Sequence, residues 1–279
     1  LFLWIAAPVA EPLFLTGPSG CGKTQSVKQL ASLLNYPVYE VTGHNRLETP
    51  ELVGHYVLRG QETVWQDGPL TSAMRTGGFF LINEVDLLDP STAAGLNSVL
   101  DGSPLLIPDT GDVVQPHEGF RFIATANTAG LGNETGLYQG TLRMNAAFMD
   151  RFTVLEADYI PQKVEESIVM KAVPGIGQTM VHVMCDVAAH VRSLYKKEDA
   201  DTDAEFAEMA MVIDAPLSTR SVLRWAEWAR RATPLARRGV NVLEYSMMRA
   251  FGNRCSRPMQ TALKELLQRC SPSIKEEED

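Results

Sequence analysis

Short apolar runs, each closed by Gly, Pro or polar positions, recur through the first 157 residues. Leu13–Thr16, Val38–Thr42, Phe79–Asn83, Phe120–Ala126 and Thr153–Ala157 read as β-strands. Between the first two, Val27, Leu30, Ala31 and Leu34 fall at i, i+3, i+4 and i+7, which predicts a helix burying these four side chains. A second helix is expected to begin at Asp89 as N-cap, with Pro90 at the first helical position, and to end just before Gly102. Strands alternating with helices predict an α/β core, a five-stranded, mostly parallel sheet between helices. Two stretches break the alternation. Tyr56–Gln66 and Leu105–Gln115 each read as two β segments around a polar, Gly-containing turn, and so as hairpin inserts. From about Asp158 only the helical period remains, over roughly 161–173, 178–197, 203–213, 218–233, 235–252 and 258–270. The pattern thus divides the chain into an α/β domain, 1–157, and an all-α domain, 158–279, ending in a charged tail at Lys275–Asp279 expected to fray.

Composition agrees with that division. A length of 279 residues suggests two domains, and a hydrophobic share of 45% is ample for their cores. No apolar run reaches the ~18–20 residues that a bilayer-spanning helix takes, which excludes an integral membrane protein of that kind. The opening LFLWIAAPVA has an apolar stretch but no basic start, and it runs into Glu11 and a strand, so it reads as part of the fold. The sequence begins on Leu rather than Met, and a preceding segment is expected. Cys21, Cys185, Cys255 and Cys270 show no C-x-x-C spacing, which fits neither a zinc motif nor a disulfide framework and predicts a reducing, cytoplasmic setting. The net charge of −9 is uneven: it resides almost wholly in 1–157, whereas 217–257 holds nine Arg against Glu227 and Glu244. An acidic front with one basic stretch does not describe a dedicated duplex-DNA binder.

The strongest chemical signal is GPSGCGKT. Gly17, Pro18, Ser19, Gly20, Cys21, Gly22, Lys23 and Thr24 match G-x-x-x-x-G-K-[ST] between a strand and a helix, with Gln25 continuing the helix. Glycines let backbone N–H groups wrap phosphates, the helix N-terminus adds positive potential, and Lys23 reaches the β/γ oxygens. The Thr24 hydroxyl is a ligand for Mg²⁺, so ATP with Mg²⁺ is the expected cofactor pair. A second apolar strand ends in Asn83–Glu84. Glu84 is the candidate base for the attacking water, although a strand-end acid can also serve only as a cap. Asn83 stands where such enzymes usually carry a metal-holding Asp; its amide can orient a metal-bound water but adds no charge. Asn127 closes FRFIATAN next to Glu84, where it serves either to place the water and touch the γ-phosphate or to form a turn. Arg143 and Arg151 flank the short helical segment NAAFMD, and Arg220 opens a helix after Ser-Thr. Their planar forks suit phosphate oxygens, as they also suit ordinary surface ion pairs.

Together these residues resemble the AAA+ ATPases, within them the MoxR-like branch, and in particular the ATPase subunit of the aerobic cobaltochelatase and its relatives. The resemblance rests on GPSGCGKT, RLETPELVGHYVLR, QDGPL, FRFIATANTAGLGNETGLYQGTLRMNAAFMDRF and LSTRSVLRWAE, over about residues 11–235. It implies that Asn127 is the first sensor, Arg151 a finger acting on a neighbouring subunit's nucleotide, and Arg220 the second sensor on a helical lid, with Arg143 a second interface candidate. It places the hairpins 56–66 and 105–115 near a ring pore, with Trp65 as a pore contact. It also implies a homo-oligomeric ring, usually a hexamer, because a finger acting in trans needs a neighbour.

The expected function is therefore an ATP-hydrolysing motor that remodels a protein partner, one that by the resemblance often carries a von Willebrand factor A-type domain. Three alternatives stand beside it. One is the cobalt chelatase subunit itself, although no porphyrinoid-binding constellation is visible. Another is a nucleic-acid motor, motivated by the Arg-rich stretch. The third is a non-hydrolysing nucleotide switch, motivated by Asn83.

Overall fold

The computed structural model describes residues 1–7, 10–130, 132, 140–196 and 204–271, with the side chains of 204–206 left aside. The chain divides into two compact units, Leu1–Asp158 and Tyr159–Asp279. The tail at 275–279 and the stretch 133–139 of the long ATAN…MDRF string lie outside the described residues.

Among the described residues the first unit has nine strands: β1 (Leu13–Thr16), β2 (Val38–Thr42), β3 (Gly54–Arg59), β4 (Glu62–Asp67), β5 (Phe79–Asn83), β6 (Leu105–Leu106), β7 (Val113–Val114), β8 (Arg121–Thr125) and β9 (Thr153–Glu156). Five of them form one sheet in the order β2-β5-β8-β1-β9, with every pairing parallel. Both faces are covered, which is why β1 and β5 read as continuous apolar runs rather than alternating ones. The pleat sends Leu13, Leu15, Phe79, Leu81 and Ile123 against Val27, Leu30, Ala31 and Trp4. It sends Phe14, Phe80, Ile82, Phe122 and Ala124 to the opposite core, with Leu52, Leu70, Met74 and Phe148. The opening segment belongs to this fold: Phe2–Ile5 is a helical turn whose Trp4 stacks edge-on to Phe79 and donates to the Glu11 carbonyl at 2.8 Å.

Several expectations need correction. Leu34 is exposed, because the helix Lys23–Leu34 ends there and Asn35 turns into the left-handed region as its cap. The helix expected from Asp89 to Gly102 does start on an Asp89 cap but divides at Leu96 into Pro90–Gly95 and Asn97–Leu100, where Gly95 weakens the helical run. The helices Thr49–Val53 and Pro69–Thr76 were not anticipated. The first hairpin pairs over six residues a side, whereas the second pairs only Leu105 with Val114 and Leu106 with Val113.

The second unit is all helical over its described residues: Gln162–Ala172, Gln178–Lys196, Ala204–Val212, Thr219–Ala232, Val242–Ala250 and Arg257–Cys270. Trp225, Met184, Val187, Met247, Met259 and Leu263 are buried at its centre. The single helix expected over 235–252 is instead a 3₁₀ stretch, Thr233–Arg238, stopped by Gly239 at φ 75°, then Val242–Ala250 under an Asn241 cap. Inside this core Arg192 meets Glu165 in a two-pronged pair at 2.9 and 2.7 Å, while its Nε donates to the Leu217 carbonyl at 2.8 Å. Tyr159 lies under the guanidinium at 4.3 Å, so the buried charge has an ion-pair partner, a carbonyl and an aromatic face.

Candidate nucleotide site

A parallel sheet points the carboxyl ends of its strands the same way, and ligand sites gather there. The loop after β1, the last residue of β5 and the residue two beyond β8 meet at that edge. The loop is shaped by its glycines. Gly17 sits at φ +143°, and a Cβ there would come within 1.9 Å of the Ala157 carbonyl oxygen; Gly22, at φ +104°, faces open space. Gly20 also has positive φ, and the loop runs directly into the twelve-residue helix Lys23–Leu34. Cys21 is buried, its thiol directed at the Ala157 carbonyl, so this position anchors the loop to the end of β9.

Lys23 donates to the carbonyls of Gly17 and Pro18 at 2.7 and 3.0 Å and to Asn127 Oδ1 at 3.1 Å. The structure thus brings together Lys23 and Asn127, which lie 104 residues apart in sequence. Thr24 Oγ1 donates to Asn83 Oδ1 at 2.6 Å. Thr125 donates to the same oxygen at 3.1 Å, and Asn83 Nδ2 donates to Glu40 Oε1 at 2.8 Å. The Thr24 hydroxyl and the Asn83 amide oxygen are hard oxygen donors, and this pair beside an anion-wrapping loop fits a divalent cation on phosphate. Glu84 follows at φ 54°, ψ 43°, with its side chain exposed. A glutamate held in the left-handed region is strained by about 1–3 kcal/mol, and such strain concentrates at working sites.

Asp86 was missed by the sequence reading. It is fully buried, and its Oδ2 accepts from the backbone N–H groups of Asn127 and Thr128 at 3.1 and 3.2 Å and from the Thr128 hydroxyl at 3.0 Å. The acid two residues after Glu84 therefore fixes the turn that carries Asn127. The signal was present as the second acid of NEVD, but its partners lie in the turn beyond another strand.

The arginines have surroundings of their own. Arg151 forms a bidentate pair with Asp101 at 2.8 and 3.0 Å and donates to the Ala147 carbonyl. Arg143 is exposed and lines a small pocket with Leu88, Pro90, Asn97, Met144 and Phe148. Arg220 is exposed in the first turn of Thr219–Ala232, whose N-cap is Ser218, in the helical unit. Trp65 is half-buried on the first hairpin. Its ring packs on Gly54 and Tyr56, and its Nε1 donates to Asp67 at 2.8 Å. The exposed apolar side chains of the hairpins are Tyr56, Leu58, Leu106 and Val113. The two hairpins are joined by Tyr56 Oη donating to the Asp109 carbonyl at 3.0 Å, and by Arg75, which pairs with both Asp67 and Asp112.

Residues 12–152 match the family profile of the AAA domain, dynein-related subfamily. The chain belongs to that family. Relatives of this AAA chain include the denitrification regulatory protein NirQ of Stutzerimonas stutzeri, 37% identical over 57% of this chain and 55% of that protein. Protein NorQ of Paracoccus denitrificans is 31% identical over 81% of this chain and 76% of its own length. The aerobic cobaltochelatase subunit CobS of a Sinorhizobium species is 33% identical over 77% of this chain and 64% of its own length. The AAA chain therefore spans little more than half of NirQ and just under two thirds of CobS. A crystal structure of an ATPase candidate from Cytophaga hutchinsonii aligns with 99% of the chain and 89% of its own at a TM-score of 0.51 and 16% identity, a likeness of fold alone. The resemblance to MoxR-like AAA+ ATPases of cobaltochelatase type, and the α/β core with its helical second region, stand on these findings.

Proposed function

We propose that this chain is an ATP-hydrolysing motor that works as a homo-oligomeric ring, a hexamer by family resemblance, and remodels a protein partner in the cytoplasm. The observation that carries the reading is the convergence of Lys23, Thr24, Asn83 and Asn127 on one strand edge, with Glu84 held strained beside them. In this reading the loop Gly17–Thr24 and the helix start hold the ATP phosphates, with Gln25 in the first turn. Thr24 and Asn83 hold Mg²⁺, which when bound neutralises phosphate charge. Glu84 takes the proton of the attacking water, and Asn127, tied to Lys23, senses the terminal phosphate. Arg151 serves the nucleotide of the adjoining subunit, with Arg143 beside the same interface, and Arg220 is the second sensor. By the family resemblance that partner carries a von Willebrand factor A-type domain, and cobalt chelation remains a narrower version of the same activity. Among the described residues no helix is long and apolar enough to cross a membrane.

The test is steady-state ATP hydrolysis with Mg²⁺ as a function of protein concentration. Specific activity should rise with concentration as shared sites assemble, and Glu84→Gln should bind ATP yet lose turnover by about 10²–10⁴-fold. Normal turnover in Glu84→Gln would remove the base assignment. ATP binding without turnover in the unaltered chain at every concentration would favour the non-hydrolysing switch. Salt-dependent retention on DNA would favour the nucleic-acid motor.

A further inference from the structure

An asparagine amide has two unlike ends. Its oxygen accepts from hydroxyls and suits a cation, whereas its NH₂ group donates and repels one. An aspartate in the same place carries two equivalent oxygens and needs no orienting. At the end of β5 the Asn83 oxygen faces Thr24 at 2.6 Å and Thr125 at 3.1 Å, and the NH₂ end is taken by Glu40 at 2.8 Å. Glu40 stands on the edge strand β2, where it pairs in register with Leu81, two residues before Asn83, so Glu40 and Asn83 share one face of the sheet. The other carboxylate oxygen of Glu40 is held at 2.6 Å by Lys28, from the helix that follows the phosphate loop. Lys28 therefore balances the charge of Glu40, and what Glu40 passes on to the site is orientation.

We propose that Glu40 is the positioning residue that makes an asparagine serviceable at Asn83: it captures the NH₂ end of the amide and so commits the oxygen end to Thr24 and the metal. Remove the acceptor, and the amide can rotate its NH₂ toward the cation. The inference rests on the nucleotide-site reading proposed above.

The experiment titrates Mn²⁺ by electron paramagnetic resonance into protein saturated with a non-hydrolysable ATP analogue, and measures binding of the analogue without metal in parallel. Glu40→Met should weaken Mn²⁺ binding on the order of tenfold, the worth of one oriented hydrogen bond, while leaving metal-free binding of the analogue unchanged. Adding Asn83→Asp to Glu40→Met should return Mn²⁺ affinity to the unaltered level, because a carboxylate has no wrong end. Lys28→Met, which breaks the contact with the helix but keeps the acceptor, should stay within about twofold of the unaltered chain. Unchanged Mn²⁺ affinity in Glu40→Met overturns the inference. So does a double variant as weak as Glu40→Met, or a Lys28→Met that copies it. An unaltered chain that takes up no analogue overturns the site reading itself, and the role of Glu40 with it.

Discussion

Two polar networks lie in this molecule, one in each unit, and they are built on opposite plans. In the helical unit Arg192, Glu165, the Leu217 carbonyl and the Tyr159 ring close on one another, with the charged pair out of reach of solvent. At the strand edge of the α/β unit, Lys23, Thr24, Asn83 and Asn127 are tied together by exchangeable bonds: Lys23 and Thr24 hold contacts that a phosphate oxygen or a cation can replace, and Glu84 is left in water. Both networks join charged groups to several polar partners, so hydrogen bonding alone does not tell structure from function. What distinguishes them is whether the bonds can be exchanged. A closed pair holds helices in register, and an open one offers its donors to a ligand.

The comparison breaks most visibly if the closed pair is opened. Glu165→Ala leaves the Arg192 charge buried without its partner and should cost about 3–5 kcal/mol, read as a fall in the denaturation midpoint. Lys23→Ala should cost little stability and abolish nucleotide binding instead. If the two variants exchange phenotypes, the distinction between closed and open networks is wrong.

A smaller effect sharpens the role of Arg151. Its bidentate hold on Asp101 keeps the guanidinium half-buried and oriented on its own chain. Mixing Arg151→Ala with Lys23→Ala chains should restore part of the ATPase activity through sites that combine an intact finger with an intact loop. No recovery at any ratio would mean that Arg151 acts within its own subunit or only braces Asp101.

The smallest effect concerns pH. Burial pushes the thiols of Cys185 and Cys270 up to about 12 and that of Cys255 to about 11, from an ordinary value near 9.0. Between those limits the folded helical unit keeps protons that the unfolded chain has lost. Stability from these groups is therefore complete below pH 9 and is lost as pH rises toward 11 and 12. Alkaline melts should show this slope, and replacing Cys185 and Cys270 by Ala should flatten it. An unchanged slope would place the alkaline loss elsewhere.

Much of the α/β unit was legible because its signals are local. Apolar runs closed by glycine, proline or polar residues marked all five strands of the sheet, and GPSGCGKT stood in the one context where it has meaning. The helix Pro69–Thr76 carried a readable signature as well, a proline at its first position and Gly77 just past its end, but eight residues are too few for a period to assert itself. What escaped depended on pairing across the sheet or between helices. Nothing near Glu40 says that it will face an amide 43 residues away, and Glu165 and Arg192 lie 27 residues apart on different helices. The break at Leu96 and the turn at Gly239 show the converse, glycines within helical periods whose cost was underweighted.

The dihedral at Glu84 carries a further consequence. Among the described residues only Asn35 and Glu84 hold positive φ without being glycine, and asparagine tolerates that region well. Position 84 is thus a point where the backbone would be more comfortable with glycine or asparagine than with the residue it has. A search for heat-tolerant variants should keep returning to it and, by relaxing the turn, should select proteins that melt later and hydrolyse nothing. In this chain a stability screen doubles as a detector of the residue that the fold retains against its own interest.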